Sequence, residues 1–258
     1  MNKHNVLISF LVVVRNENHH IERCLKSMLD QTLTPPSYEI LVVDGMSTDG
    51  TRASIQQFID KYPDRNICLL DNPGLILSCG WNVGIYAANG RYVIRLDAHA
   101  EAHRDFLEKS LAVMDAHPEA TAVGGVVETV GEGFWGETIA AVLSSHIGVG
   151  SSRFRVGGKS GHAKTVVFGL YKKNDLITMG GFDESLIVNQ DNICHARLRD
   201  SGRLLYFDSS IRSVYHCRSS ISTLWKQMYK RSQWLILMLK HQKRKTFSIR
   251  YFAPLIFV

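Results

Sequence analysis

The stretch GRYVIRLDAHAEAH, residues 90–103, runs an apolar segment into Asp97, a small residue and His99. A strand through YVIRLD would put residues 97 and 99 on one side, because side chains along a strand alternate with a period of two. A carboxylate and an imidazole presented together at a strand end describe a metal site. They equally describe a loop in which Asp97 caps a helix and His99 lies on the surface. The segments on either side decide between these.

Upstream, short runs rich in Val, Ile and Leu alternate with segments of helical period. VLISFLVVV (6–14) precedes IERCLKSMLDQT, whose Ile21, Leu25, Met28 and Leu29 fall at helical spacing. EILVVD (39–44) gives a second strand, and STDGTRASIQQFIDKY a helix opening on Ser47 and Thr48 as caps. ICLLDN, SCGWNVGIYAANG and RYVIRLD follow as strand, helix and strand. This alternation predicts an α/β fold, a doubly wound, mostly parallel sheet flanked by helices, over residues 1–100. Ligands of such sheets sit at the carboxyl ends of the strands, and Arg15, Asn16, Asp44 and Asp97 all fall just beyond strand ends.

Downstream the alternation fades. TAVGGVVETV and VVFGLYKK read as strands, GGFDE as a turn and QDNICHARLRDSG as a helix, while residues 131–165 are Gly-, Ser- and Arg-rich with weak periodicity. One domain, with a nucleotide half (1–100) and a more irregular half (101–224), is the economical reading. Hydrophobic residues at 45% and charged residues at 21% exclude disorder as the default, and a formal charge of +6 favours phosphates, acidic lipids or nucleic acid as partners. The five cysteines are odd in number and lack C-x-x-C spacing, which argues against a disulfide framework or structural zinc and for a reducing compartment. The apolar start, Val6 to Val14, has no small-x-small cleavage site after it and reads as a buried strand, so a cytoplasmic protein is expected.

VVVRNENHHIERCLKSMLDQT, EILVVDGMSTDGT, NVGIYAANGRYVIRLDAHA, GGFDESLIVNQDN and RLRDSGRLLYFDSSIRSVYH stand in order over residues 6–234, a combination far more specific than any one motif. Together they resemble glycosyltransferase family 2, inverting enzymes of the GT-A fold. RLDAH, GVGSSRFRVGG, TVVFGLY and VNQDN are similar to the succinoglycan-type exopolysaccharide transferases. The resemblance implies a nucleotide-diphosphate sugar donor, UDP-linked, and a saccharide or lipid-linked saccharide acceptor in cell-surface polysaccharide synthesis. It implies donor contacts from Val13, Arg15, Asn16, Glu17, Asp44, Ser47, Asn82 and Asp97, with Asp44 accepting from the base. DAH stands where the family has Asp-x-Asp, so Asp97 and His99, with His216 completing the shell, would hold a divalent metal. Imidazole suits Mn2+ better than Mg2+. Asp191 matches the family's catalytic base; the alternatives are that it merely caps its helix or that Asp183 is the acid used.

KQMYKRSQWLILMLKHQKRK (226–245) reads as a basic amphipathic helix, and YFAPLIFV as the start of a membrane-associated segment, so residues 225–258 point to an anionic surface at the inner face of the cell membrane. No nucleic-acid partner is expected. Two rivals compete: a sugar-phosphate nucleotidyltransferase, which would carry a Gly-rich basic loop where RNEN stands, and a catalytically degenerate partner subunit of a membrane synthase. Asn192, where close relatives carry a second acid, keeps the latter open.

Overall fold

All seven residues of β1 (Ile8–Val14) are buried, as happens when a parallel strand is covered on both faces. In the computed structural model, which describes residues 6–34, 37–150, 152–187, 189–226 and 229, this strand is the pivot of the sheet. After it come α1 (Ile21–Leu29), β2 (Tyr38–Asp44), α2 (Thr51–Lys61), β3 (Ile67–Asp71), α3 (Leu77–Ala87) and β4 (Tyr92–Asp97). The second half adds β5 (Ala100–Ala102), α4 (Phe106–Ala116), β6 (Ala120–Val130), α5 (Gly133–Leu143), α6 (His146–Val149) and α7 (Arg153–Val156). Then follow β7 (Gly161–His162), β8 (Leu170–Lys172), α8 (Lys173–Thr178), α9 (Gln190–Asp200) and β9 (Leu204–His216).

The strands form one sheet in the order β3-β2-β1-β4-β8-β6-β9-β5, with β7 on β9. β1 to β4 run parallel, whereas β8 is antiparallel to both β4 and β6 and stitches the two halves together. Chain order reverses at β1, whose neighbours are β2 and β4, and this switch point opens a crevice beyond the carboxyl ends. Register brings the acids to one level there: Val14 faces Asp44, and Val13 faces Asp97.

The period of two divides the core. Ile8, Phe10, Val12 and Val14 pack with α1, α2 and α4 on one face, while Leu11 and Val13 pack with Trp81, Leu176, Cys194 and Leu198 on the other. Each such buried side chain contributes about 1.5–3 kcal/mol of transfer free energy. Ile94 and Leu96 of β4 take the first face, so Arg95 and Asp97 point to the second.

Several sequence expectations need correction. The helix after β2 begins at Thr51 with Gly50 as its N-cap, so Ser47 and Thr48 are loop residues and not caps. The segment expected to be irregular contains α5, and the strand expected in VVFGLYKK is confined to β8, because Phe168 takes a φ of 48° that breaks the extended run. The helix expected over 226–245 lies outside the described residues except for Lys226 and Tyr229; residues 221–226 are helical. Among the described residues, no helix is long and apolar enough to cross a membrane.

Candidate active site

Three loops at the carboxyl edge each carry a non-glycine residue with positive φ: Asn16 after β1 (55°), Met46 after β2 (57°) and Leu75 after β3 (64°). Such conformations persist only where the surroundings enforce them, and here side chains tie the loops together. Asn16 accepts from the Thr48 amide at 2.8 Å and its own amide donates to Ser47 Oγ at 2.9 Å. The Glu17 amide donates to Thr51 Oγ1 at 2.9 Å, and Arg15 packs over Gly45, where an added Cβ would lie 3.2 Å from that of Arg15. Val13 fills the space left by Gly80 of α3, where an added Cβ would lie 2.5 Å from a Val13 methyl.

Asp44 is fully buried at the end of β2. Ser47 Oγ donates to its Oδ1 at 2.5 Å, and Arg52 Nη1 lies 3.3 Å from Oδ2 and 2.6 Å from Asp71. Arg52 and Asp71 were not singled out from sequence, since an Arg on a helix and an Asp at a strand end signal nothing alone. An open hollow of about 490 Å³, lined among others by Ser47, Thr48, Arg52 and Leu69, adjoins this loop.

β4 ends at Asp97 in a tight turn into β5, so the helix-cap alternative for Asp97 is removed: no helix follows it. Burial raises the Asp97 pKa, with His99 and Arg95 acting in the opposite direction. A cation placed against such a poorly hydrated carboxylate would stabilise its ionised form. The His99 ring meets Tyr215 edge-on at 5.0 Å, and its buried Nδ1, 3.7 Å from Glu17 Oε1, has no hydrogen-bond partner. Burial opposes ionisation of Glu17, and His99 with His20 more than offsets this, so its carboxyl titrates below the ordinary value. An aspartate and an imidazole with an orphaned nitrogen make a donor set that a divalent cation accepts, the other positions falling to phosphate and water. His216 lies beside them, its amide donating to the His99 carbonyl at 3.0 Å, but its Nε2 is 2.5 Å from Glu101, which Arg23 also holds. Among the described residues no three His, Cys, Asp or Glu side chains already converge as a metal cage.

Asp191 lies in the first turn of α9 and meets β4 at Arg95, two residues before Asp97. The cap position is taken by Asn189, in a left-handed conformation, so Asp191 is not the cap. Its Oδ2 accepts from Arg95 Nη2, while its Oδ1 has no partner. Arg95 is only 5% exposed, with its guanidinium 4.9 Å from the Trp81 ring and 5.6 Å from Phe182. Burial opposes its charge, and Asp191, Tyr171 and Asp97 more than restore it, so Arg95 stays protonated. Asn82 serves the protein here: its amide donates to the Phe182 carbonyl (2.9 Å) and Glu184 (2.7 Å) and accepts from the Phe182 amide (2.8 Å), holding the 181–184 turn. Asp183, within that turn, accepts from the Ser185 hydroxyl.

Buried side-chain polar atoms without a partner are found, among the described residues, in Asn72, Trp81, Arg95, His99 and Asp191. Trp81, Arg95 and Asp191 adjoin one another, while His99 and Asn72 follow the ends of β4 and β3. Native proteins leave few such atoms without a partner, so each marks a place for a water, an ion or a ligand.

The fold is the GT-A fold of the solved glycosyltransferases on which the chain superposes. Residues 9–179 match the model of glycosyl transferase family 2, and the chain belongs to that family. It is 31% identical over 229 residues (85% of this chain, 70% of the relative) to a dolichyl N-acetyl-alpha-D-glucosaminyl phosphate 3-beta-D-2,3-diacetamido-2,3-dideoxy-beta-D-glucuronosyltransferase of Methanococcus voltae. It is 32% identical over 228 residues (86% and 67%) to the succinoglycan biosynthesis protein ExoA of Rhizobium meliloti. Among solved structures, the mannosyltransferase PcManGT of Pyrobaculum calidifontis, with GDP-Man and Mn2+, superposes with a TM-score of 0.69 at 20% identity, covering 97% of this chain and 68% of that one. S. aureus TarS with UDP gives 0.62 at 20%, covering 86% and 63%. The chain thus spans roughly two thirds of the length of these proteins, and Asp191 lies beyond the span matched by the family model.

Proposed function

We propose that this chain is an inverting, metal-dependent glycosyltransferase that moves a sugar from a UDP-linked donor to a saccharide or lipid-linked saccharide in cell-surface polysaccharide synthesis. The carrying observation is the end of β4, where Asp97 and His99 follow the buried Arg95 that binds Asp191, with unpartnered polar atoms in Arg95, His99 and Asp191. Asp97 and His99 would hold a divalent cation, which supplies positive charge to the departing diphosphate. Asp44, with Arg52 and Ser47, presents a fixed carboxylate to the base. Asp191 accepts the proton of the acceptor hydroxyl as that oxygen bonds to the anomeric carbon. The bond from that carbon to the diphosphate breaks, its electron pair leaving with the phosphate oxygen. The names of the Methanococcus and Rhizobium relatives support a glycan acceptor, and the PcManGT and TarS complexes support a nucleotide donor and, for PcManGT, Mn2+. The exposed Trp225 and the basic sequence after it support work at an anionic membrane face.

Calorimetry of UDP with Mn2+, combined with release of nucleoside diphosphate from a panel of UDP-sugars and GDP-mannose, tests this. Asp97→Ala is expected to abolish metal-dependent UDP binding, and His99→Asp to shift preference toward Mg2+. Asp191→Asn should leave binding intact and lower transfer by about a hundredfold or more. UDP binding that ignores both chelator and Asp97→Ala would remove the metal site, and absence of any turnover would favour the partner-subunit role.

A further inference from the structure

A permanently charged side chain inside an apolar strand needs a reason, because burial without full pairing is costly. Arg95 sits in β4 between Ile94 and Leu96, both fully buried, and its partner lies 96 residues along the chain. Two rings clasp the guanidinium, Trp81 from α3 and Phe182 from the turn that Asn82 fixes. On the other side of this network the Tyr171 hydroxyl and His195 Nε2 are 2.7 Å apart, and His195 Nδ1 lies 2.8 Å from Thr165 Oγ1. The fork therefore has a fixed height, set by β4, and a fixed tilt, set by the rings.

An arginine–aspartate pair built only for stability closes best as two parallel hydrogen bonds, one to each oxygen. Here only Nη2 reaches the carboxylate, through Oδ2; Nε, Nη1 and Asp191 Oδ1 have no partner. The two oxygens are thereby made unequal. We propose that Arg95 is the positioning residue of Asp191: by anchoring Oδ2 it fixes the carboxylate that takes the acceptor proton. This rests on the reading of Asp191 as the base. The Asp191 side chain is 34% exposed although Oδ1 itself is buried, so part of the anchored side chain still reaches solvent.

The test is a double-mutant cycle on the full chain with Mn2+ and whichever panel nucleotide sugar turns over, read as nucleoside diphosphate release. Arg95→Gln, which keeps a polar side chain without charge or fork, is expected to lower kcat about tenfold or more with the donor KM changed by less than about twofold. In the Asp191→Asn background the same substitution should change nothing further, because its effect passes through that carboxylate. A normal kcat in Arg95→Gln overturns the proposal. So does a fall that repeats in full on top of Asp191→Asn, which marks a general structural defect. If Asp191→Asn itself transfers normally, the reading of Asp191 as base fails, a result visible without Arg95. Should Arg95→Gln not fold, Arg95→Lys takes its place in the cycle, retaining charge but not the planar fork, with the same expected non-additivity and the same overturning results.

Discussion

His195 is wholly buried, and burial lowers its pKa to about 4, from 6.5, with Asp191 opposing and Arg95 adding to the shift. The folded protein therefore holds a neutral imidazole between Tyr171 and Thr165, while the unfolded chain takes up a proton below about pH 6.5. A folded pKa below the unfolded one contributes stability that is present above the unfolded value and lost as pH falls towards the folded value. The loss across pH 6.5 to 4 is on the order of 3 kcal/mol. His195→Gln should be less stable at pH 7 by about 1–2 kcal/mol, having lost hydrogen bonds, but should lose less on acidification. Urea unfolding at pH 7 and pH 5 compares the two; an equal loss in both proteins would exclude His195 as the titrating group. At this scale the sequence displayed single roles and hid pairs. Asp44 and Asp97 were legible because each ends an apolar run, and parallel strands bring such ends to one edge. Arg95 was not, because in YVIRLD it reads as one polar residue in a strand and its partner is brought in only by α9. Asn82 reads as a residue near the donor, yet its amide is engaged by the 181–184 turn.

That turn is the element on which the second half of the site depends. Gly181 has a φ of 69°, and an added Cβ would lie 2.4 Å from Asn82 Oδ1, the atom that holds the Phe182 amide. Gly202, after α9, has a φ of 79° with nothing within 4 Å of the added carbon. Gly202→Ala should therefore cost only the backbone strain, about 1 kcal/mol, whereas Gly181→Ala adds a broken clamp and should cost roughly 2–3 kcal/mol. For a chain of this size that difference is about 2–8 °C in melting temperature. Gly181→Ala should also lower transfer, because Phe182 is one of the rings against Arg95; equal melting temperatures and equal activity for the two variants would remove the clamp from the account. The same contrast explains which elements the sequence disclosed. β1, β2 and β4 are nearly continuous apolar runs between polar loops, a pattern that parallel strands covered on both faces must show. α5 was hidden because Phe134, Trp135 and Val142 are exposed on it while Gly136 faces inward, which inverts the usual amphipathic signal. β9 is interrupted in sequence by DSS, where its pairing with β6 slips between Gly124 and Val126; Gly125 permits the crossing, since a Cβ there would lie 2.0 Å from the Ile211 carbonyl oxygen.

The molecule as a whole carries a formal charge of +6, and exposed apolar side chains recur near the end of the described chain. α5 and the helical residues 221–226 bury their inner faces in a small cluster of Ile139, Ala140 and Cys217, with Leu143 and Leu224 against it. Their other faces expose Phe134, Trp135 and Val142 on one side and Ile221 and Trp225 on the other, and Ile147 on α6 is 98% exposed. Large apolar side chains bordered by Arg218 and Lys226 suit the interface of an anionic bilayer, where rings settle at headgroup level and each cation contributes about 1 kcal/mol. At such a surface charge would select the membrane, and apolar contact would set how firmly the protein stays. These two contributions separate by salt, since exposed charges are screened within about 8 Å at physiological ionic strength and apolar burial is not. Co-sedimentation with vesicles should therefore rise with the fraction of anionic lipid and fall as salt is added. Trp225→Ser should weaken binding at every salt concentration without changing the slope, because it removes apolar area and no charge. Equal binding to neutral vesicles at high salt would leave the charge without a role, and no binding to any vesicle would place the acceptor in solution rather than at a membrane.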